Sequence, residues 1–464
     1  MRRDASSRVE NTALDAVLRE SGLSHARLAR RVNQLGAQQG IPLRYDKASV
    51  TRWIQGKRPR GRAPEFMAGA LSEALRRTVT PAEIGLGGEN TRPVTARALS
   101  YCEDVDDALR TLAELGSTDV SRRSLLGGVP FVAGALADPQ RQWLLWLSEA
   151  EDGQPARLAA ASDGGAAEPL HYMIQTFDSM DNRFGGAHVR SAIVHYLSNQ
   201  AMPMVQQRGR REAEHRELFT AAAKLAAMAG WSSYDAGEYG MAQRYMTLGL
   251  RLCGEGGDRV LGGQIWAGIS HLQTSLGYPS DGVYSARVGL ATAKDSGSPL
   301  GLMRLHAMAA RGYAARRDQQ KAHAHLRFAE ESLARSRGPA QESPWVGYLD
   351  HHYLEAETAQ VFRDLGDGKR AEQMAAESVR HNAQRGRRQA IGRSVLATAH
   401  LQQGQLDAAL ESAHTALERL GSGNIHSERS VQALRAFRAE LEPFRREEAV
   451  REFVRQARPV LGAA

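Results

Sequence analysis

Gly404–Leu420, GQLDAALESAHTALERL, is a turn glycine followed by a helix that carries small residues at Ala409 and Ala416. It is the clearest copy of a unit that recurs along the chain. Aligned on the glycine, the copies start at Gly237, Gly277, Arg317, Gly366 and Gly404, at spacings of 40, 40, 49 and 38 residues. Five positions on stand Ala242, Gly282, Ala322, Ala371 and Ala409. Twelve on stand Gly249, Gly289, Ala329, Ser378 and Ala416. Seven before stand Gly230, Ser270, Ala310, Ala359 and Ala397. All fifteen of these residues are small. Two antiparallel helices need small residues where their backbones cross closely, so each unit reads as a hairpin of helices A and B. A row of such hairpins buries a continuous core by stacking. The expectation is an all-α chain with a solenoid over 165–442. An earlier pair, about 169–207, lacks the register and reads as a degenerate first repeat. In 443–464, Phe444, Val450, Phe453 and Val454 fall at helical spacing and predict a capping helix.

The pattern resembles tetratricopeptide repeats, although the aromatic positions of that family are often missing. The resemblance implies a right-handed α-solenoid whose concave face is lined by the A helices. In this register one row of that face is Lys224, Gln264, Arg304 and Tyr353, and the next is Trp231, His271, Arg311 and Gln360. Cationic, amide and aromatic groups in such rows suit a groove for a peptide, a protein segment or a small ligand. A wet inner surface that binds nothing specific is the plainer reading.

Composition agrees with helical layers: 42% hydrophobic residues but only 6% aromatic. Cys102 and Cys253 are the only cysteines and lie far apart, which argues against a disulfide framework and for a reducing, cytoplasmic setting. No apolar run reaches the roughly 20 residues of a membrane helix, and MRRDASSRVENT has no hydrophobic core of a secretion signal. The net charge of +8 is unevenly placed. Residues 1–92 hold 17 Lys and Arg against 9 Asp and Glu, whereas the remainder balances at 43 each. A basic first fifth beside a neutral bulk is the footprint of a small nucleic-acid-binding domain joined to a larger domain of other purpose.

Within that basic part, residues 1–10 read as disordered. A first helix is expected over 11–20 with Leu14, Val17 and Leu18 inward, and Ser24 caps a second with Leu28, Val32 and Leu35 inward. Asp46–Gly56, DKASVTRWIQG, then reads as a helix with Asp46 as its N-cap and Gly56 just past its end. Val50, Trp53 and Ile54 make one apolar face. Ala48, Thr51, Arg52 and Gln55 make the opposite face, short and polar as a major groove requires. A further helix spans about 64–77, and Thr80-Pro81-Ala82-Glu83 is a capping box.

SHARLARRV followed by KASVTRWIQGKRP resembles the helix-turn-helix of Cro/repressor-like proteins, with Leu28-Ala29 in the scaffold helix and Val50, Trp53 and Gly56 in the reading helix. Together with GKRPRGRAP and LSEALRRTVTPAEIGLG, it resembles actinobacterial helix-turn-helix regulators fused to tetratricopeptide-like repeats, the group of the streptomycete NsdA-like regulators. The resemblance implies base contacts by Lys47, Ala48, Thr51 and Arg52, and phosphate contacts by Ser24, His25, Lys57, Arg58 and Arg60. It also implies a homodimer on a double-stranded DNA operator, repression of development, sporulation or secondary metabolism, and a nucleoid-associated cytoplasmic location. One departure stands out: about eight extra residues, 37–44, stretch the turn between the two helices, by a longer scaffold helix or a bulging loop.

The domain plan is therefore 1–10 disordered, 11–88 helix-turn-helix, 89–164 linker and bridging helices, 165–442 repeats and 443–464 cap. Within the bridge, 121–139 (SRRSLLGGVPFVAGALADP) reads as a buried or partner-packing helix, and 153–167 as mobile. Enzyme chemistry finds no foothold. There is no phosphate-binding GxxxxGK[ST] loop and no HExxH. His323/His325 and His351/His352 read as surface histidines, since neighbouring positions on a helix do not face each other. Glu355/Glu357 and Glu447/Glu448 read as surface charges. No cofactor and no metal is expected. The favoured reading is a sequence-specific DNA-binding regulator with a dimerising, ligand-sensing repeat domain. The alternative is a repeat scaffold whose basic N-domain binds an acidic protein.

Overall fold

The computed structural model describes residues 10–38, 42–57, 59, 63–75, 77, 79–81, 83–86, 93–121, 129–151, 165–207, 209–382, 385–421 and 427–462. Nearly all of the stretches expected to be disordered or mobile, 1–10 and 153–167, lie outside them. Among the described residues every regular element is helical, and no helix is long and apolar enough to cross a membrane. The chain divides into two compact units between Arg97 and Ala98.

The first unit contains α1 (Thr12–Ser21), α2 (His25–Gln38), α3 (Lys47–Ile54), α4 (Ala63–Leu75) and the short α5 (Val94–Arg97). Its core is the apolar set read from the sequence: Leu14, Leu28, Val32 and Val50 are fully buried, joined by Trp53, Phe66, Met67, Leu71 and Ile84. Asn11 starts α1 by accepting from the Leu14 N–H at 3.0 Å, and its amide donates to the Ile84 carbonyl at 2.9 Å. At the stretched turn α2 continues through Ala37 to Gln38, and 42–44 are non-helical, so a longer helix takes up only the first two of the extra residues. Asn33 on that helix then braces the re-entering chain, exchanging two 2.9 Å hydrogen bonds with the backbone of Tyr45.

The second unit opens with α6 (Val105–Ser121), α7 (Ala137–Glu151), α8 (Glu168–Phe184), α9 (Gly186–Tyr196) and α10 (Met202–Gln206). Five antiparallel hairpins follow: α11 (Glu212–Asp235) with α12 (Tyr239–Gly256), α13 (Arg259–Ser275) with α14 (Pro279–Ala293), α15 (Pro299–Ala315) with α16 (Gln319–Arg335), α17 (His351–Leu365) with α18 (Gly368–His381), and α19 (Gly386–Gln402) with α20 (Leu406–Gly421). Then come α21 (Glu428–Glu440) and α22 (Glu448–Leu461), whose Val450 and Phe453 are buried against the last repeat core. The architecture is a tetratricopeptide-like α-solenoid.

The repeat arithmetic has a direct backbone counterpart. Gly237, Gly277, Gly366 and Gly404 turn between their helices with φ of 80°, 86°, 83° and 74°, and Arg317 does so at 59°. That left-handed region is costly for a residue with a Cβ, and Arg317 is the one non-glycine there among the described residues. All fifteen small positions are buried. A Cβ on Gly230 would lie 2.7 Å from Met246 Cγ, and one on Gly289 would lie 3.0 Å from Trp266 Cβ. The helices touch where those glycines stand.

Helices α6 and α7, read as a bridge, pack onto the repeats. Arg251 on α12 donates to the Cys102 carbonyl at 2.9 Å, and Trp143 on α7 is fully buried with its indole N–H 2.8 Å from Thr292 Oγ1 on α14. The helix expected over 121–139 is replaced in its described part by an extended strap, 129–132, leading into a 3-10 turn. Pro130 disfavours helix at Val129. Gln243 pairs with both backbone groups of Val132 at 2.9 and 2.8 Å, and Arg244 donates to the Pro130 carbonyl at 3.1 Å.

Candidate functional site

Two surfaces carry the residues singled out from the sequence, one in each unit. On the first, Asp46 caps α3 by accepting from the Ser49 N–H at 2.8 Å while Ser49 Oγ accepts from the Asp46 N–H. Hydrogen bonding to Ser49 holds the Asp46 carboxyl below its usual range. Gly56 follows the helix with φ 85°. Val50 and Trp53 face inward, and Trp53 meets the Tyr45 ring edge-on at 4.8 Å. Trp53 is therefore a packing residue.

Lys47, Ala48 and Arg52 are exposed and Thr51 is half-buried. Arg52 lies back along its own helix, donating to the Ala48 carbonyl and to Ser49 Oγ, each at 3.2 Å. His25 Nδ1 is 3.2 Å from Thr51 Oγ1, which joins α2 to the polar face of α3. Ser24 caps α2 through the Arg27 N–H at 3.3 Å, and Lys57 is exposed. Arg58 and Arg60 lie outside the described residues. Arg31 on α2 is bound to Glu73 on α4 at 2.6 Å.

In the second unit all eight residues of the two predicted rows line one cavity of about 820 Å³: Lys224, Trp231, Gln264, His271, Arg304, Arg311, Tyr353 and Gln360. They meet because each A helix presents the same register positions to the inside. Arg304 donates to Gln264 Oε1 at 2.8 Å and to the Tyr353 hydroxyl at 3.3 Å, and its guanidinium lies 5.4 Å from the Trp231 ring centroid. Arg311 pairs with Glu357 at 3.1 Å, and Lys224 with Asp178 at 3.8 Å. Glu357, read as a surface charge, is buried. His271 stands 3.1 Å from the Tyr234 hydroxyl. Burial, then the charges of Arg311, Arg429 and Arg304, push its pKa well below the ordinary histidine value, so it is neutral at pH 7.

Residues that the repeat register did not point to also line this cavity, Asp181, Arg387 and Arg429 among them. Asp235, 1% exposed at the end of α11, accepts from the Gly186 N–H, Ser427 Oγ, Arg429 Nε and Arg387 Nη1, at 2.9, 2.7, 2.8 and 3.2 Å. Arg387 also holds Asp181 at 2.9 Å. Asp181 is on α8, Arg387 on α19 and Arg429 on α21, so this clasp joins early helices of the solenoid to late ones. A signal was present. Arg387 occupies the register position of Thr220, Val260, Leu300 and Leu349, which are all buried and mostly apolar. A charge there breaks the repeat pattern and marks a special contact. The 49-residue spacing likewise accommodates 336–350, which brings Trp345 and Tyr348 to the cavity wall.

Among the described residues, His352, Glu355 and His381 present possible metal-ligand atoms within 4.8 Å of one another. The two imidazoles stack with centroids 3.6 Å apart and planes 18° from parallel. Lone pairs lying in nearly parallel planes do not converge on one ion. Glu355 instead pairs with His351 and His352 at 3.1 and 3.0 Å.

Comparison with known proteins adds three findings. Residues 14–87 match the family model of the SP15 N-terminal domain. No curated protein matches the chain. Among solved structures, a Signal Transduction ATPase with Numerous Domains protein with a tetratricopeptide repeat sensor, from Pyrococcus horikoshii, aligns over 86% of this chain and 68% of its own, at 9% identity and a TM-score of 0.31.

Proposed function

We propose that this protein is a DNA-binding transcriptional regulator whose helical-repeat unit receives a ligand or partner. The observation that carries the reading is α3: a capped helix that buries Val50 and Trp53 and leaves Lys47, Ala48 and Arg52 exposed on its other face. It lies in the part of the chain that holds the whole positive surplus. Such a helix suits a major groove, where Arg bonds guanine edges and Ala meets a thymine methyl. Arg52 has to leave its own helix to do so. Its present partners are one carbonyl and one hydroxyl, both weak competitors for a base edge.

A single short reading helix gives limited affinity, so a homodimer on two half-sites about one turn of DNA apart is part of the reading. The cavity of the repeats is the ligand site, and its occupancy sets the spacing of the paired DNA-binding units. Repression of development or secondary metabolism, and a nucleoid-associated cytoplasmic location, rest on resemblance to the NsdA-like group alone. The test is selection of bound duplexes from a random DNA pool by the full-length protein and by a Lys47→Ala/Arg52→Ala variant. Enrichment of one motif by the wild type only supports the reading. Salt-sensitive binding without a motif, equal for both proteins, contradicts it and favours the scaffold with an acidic partner.

A further inference from the structure

Five of the eight cations on the cavity wall are matched by carboxylates: Lys224 and Arg311 as above, Arg363 by Asp364 at 2.6 Å, and Arg387 and Arg429 by the clasp acids. Three are not. Among the described residues, Arg304, Arg385 and Arg388 have no carboxylate within ion-pair distance. Arg304 is 5% exposed, yet its partners are a neutral amide, a phenol and the faces of Trp231 and Tyr348. Among the described residues Arg388 donates to the Asn382 side-chain oxygen alone, at 3.4 Å. Arg311 Nε is buried with no hydrogen-bond partner. A buried cation without an anion is an expensive arrangement. The pKa of Arg388 records it, lowered by burial and by the charge of Arg385.

Building on the reading of this cavity as a ligand site, we propose that it binds a small organic anion carrying a flat ring. The carboxylate, sulfonate or phosphate group sits against Arg304 and Arg388, and the ring against Tyr348, which is 43% exposed, whereas Trp231 already carries Arg304 and Arg429 at 5.4 and 5.2 Å. Tyr353 stands at the anion end, since its hydroxyl accepts from Arg304. The size of the cavity is that of a small-molecule site.

The experiment titrates the full-length protein with anilinonaphthalene sulfonate and, separately, with N-phenylnaphthylamine, a closely similar ring system without the sulfonate. Calorimetry and fluorescence report affinity and stoichiometry, and circular dichroism checks folding. The expected result is one sulfonate per chain, bound about tenfold more tightly than the neutral probe. Arg388→Gln then weakens the sulfonate about tenfold and leaves the neutral probe unchanged, while Arg388→Lys largely retains sulfonate binding. Equal affinity for the two probes, or no effect of Arg388→Gln, overturns the anion assignment and leaves the cavity as an apolar site. Binding of neither probe overturns both the assignment and the reading of the cavity as a ligand site. DNA plays no part in this measurement, so its outcome is separate from that of the operator test.

Discussion

Arg317 shows how one residue can sit against its own backbone preference. Four of the five hairpin turns use glycine at φ of 74° to 86°, and Arg317 fills the same role at 59°. Arg317→Gly is therefore expected to stabilise the protein by roughly 1 kcal/mol, seen as a higher urea midpoint with unchanged slope. Asp235 is the opposite case, a charge with more partners than usual. Burial alone would raise its pKa, but the charges of Arg429 and Arg387 and the Ser427 hydrogen bond outweigh it and lower the value to about 2. A carboxylate so depressed contributes stability that is present above its unfolded pKa near 3.8 and is lost as pH falls towards 2. Asp235→Asn should cost about 3 kcal/mol at neutral pH, because Arg429 loses its counter-charge and Arg387 keeps only Asp181. Thermal melts across pH 5 to 2 should then show a smaller further loss in the variant than in the wild type. Equal losses would mean that Asp235 does not titrate as its surroundings require.

At the scale of elements, the hairpins were legible because small residues and turn glycines recur at fixed offsets, and packing at each offset is the same physical problem. The eight groove residues were legible for the same reason: equivalent positions on successive A helices face one way. What does not recur was not legible. The clasp depends on where a curved stack returns on itself, which no single repeat records beyond the out-of-place Arg387. The strap at 129–132 was read as helix because its residues are apolar, while its extended form comes from Pro130 and from tertiary partners on α12. Gly240 is its seat. A Cβ there would collide with the carbonyl oxygens of Val129 and Pro130. Helix propensity says that Gly→Ala gains up to about 1 kcal/mol. Gly240→Ala should instead destabilise by about 1–3 kcal/mol, with amide exchange at Val132 accelerated. A more stable variant with Val132 still protected would show that the strap does not need the glycine.

At the scale of the whole molecule, the charge distribution and the two compact units separate two tasks. The first unit carries the positive surplus and the capped α3, and the second carries the cavity, where among the described residues three arginines have no carboxylate partner. The apolar core of the first unit leaves the polar face of α3 exposed, and the tight crossings of the second hold its cavity walls in register. The proposed division of tasks stands or falls on whether α3 reads DNA sequence. Genome-wide crosslinking and sequencing with the wild type and the Lys47→Ala/Arg52→Ala variant tests it most directly. Sharp peaks sharing one motif in the wild type, lost in an equally abundant variant, are the predicted result. Peaks that persist unchanged in the variant, or a signal as flat for the wild type as for the variant under every growth condition sampled, would contradict it.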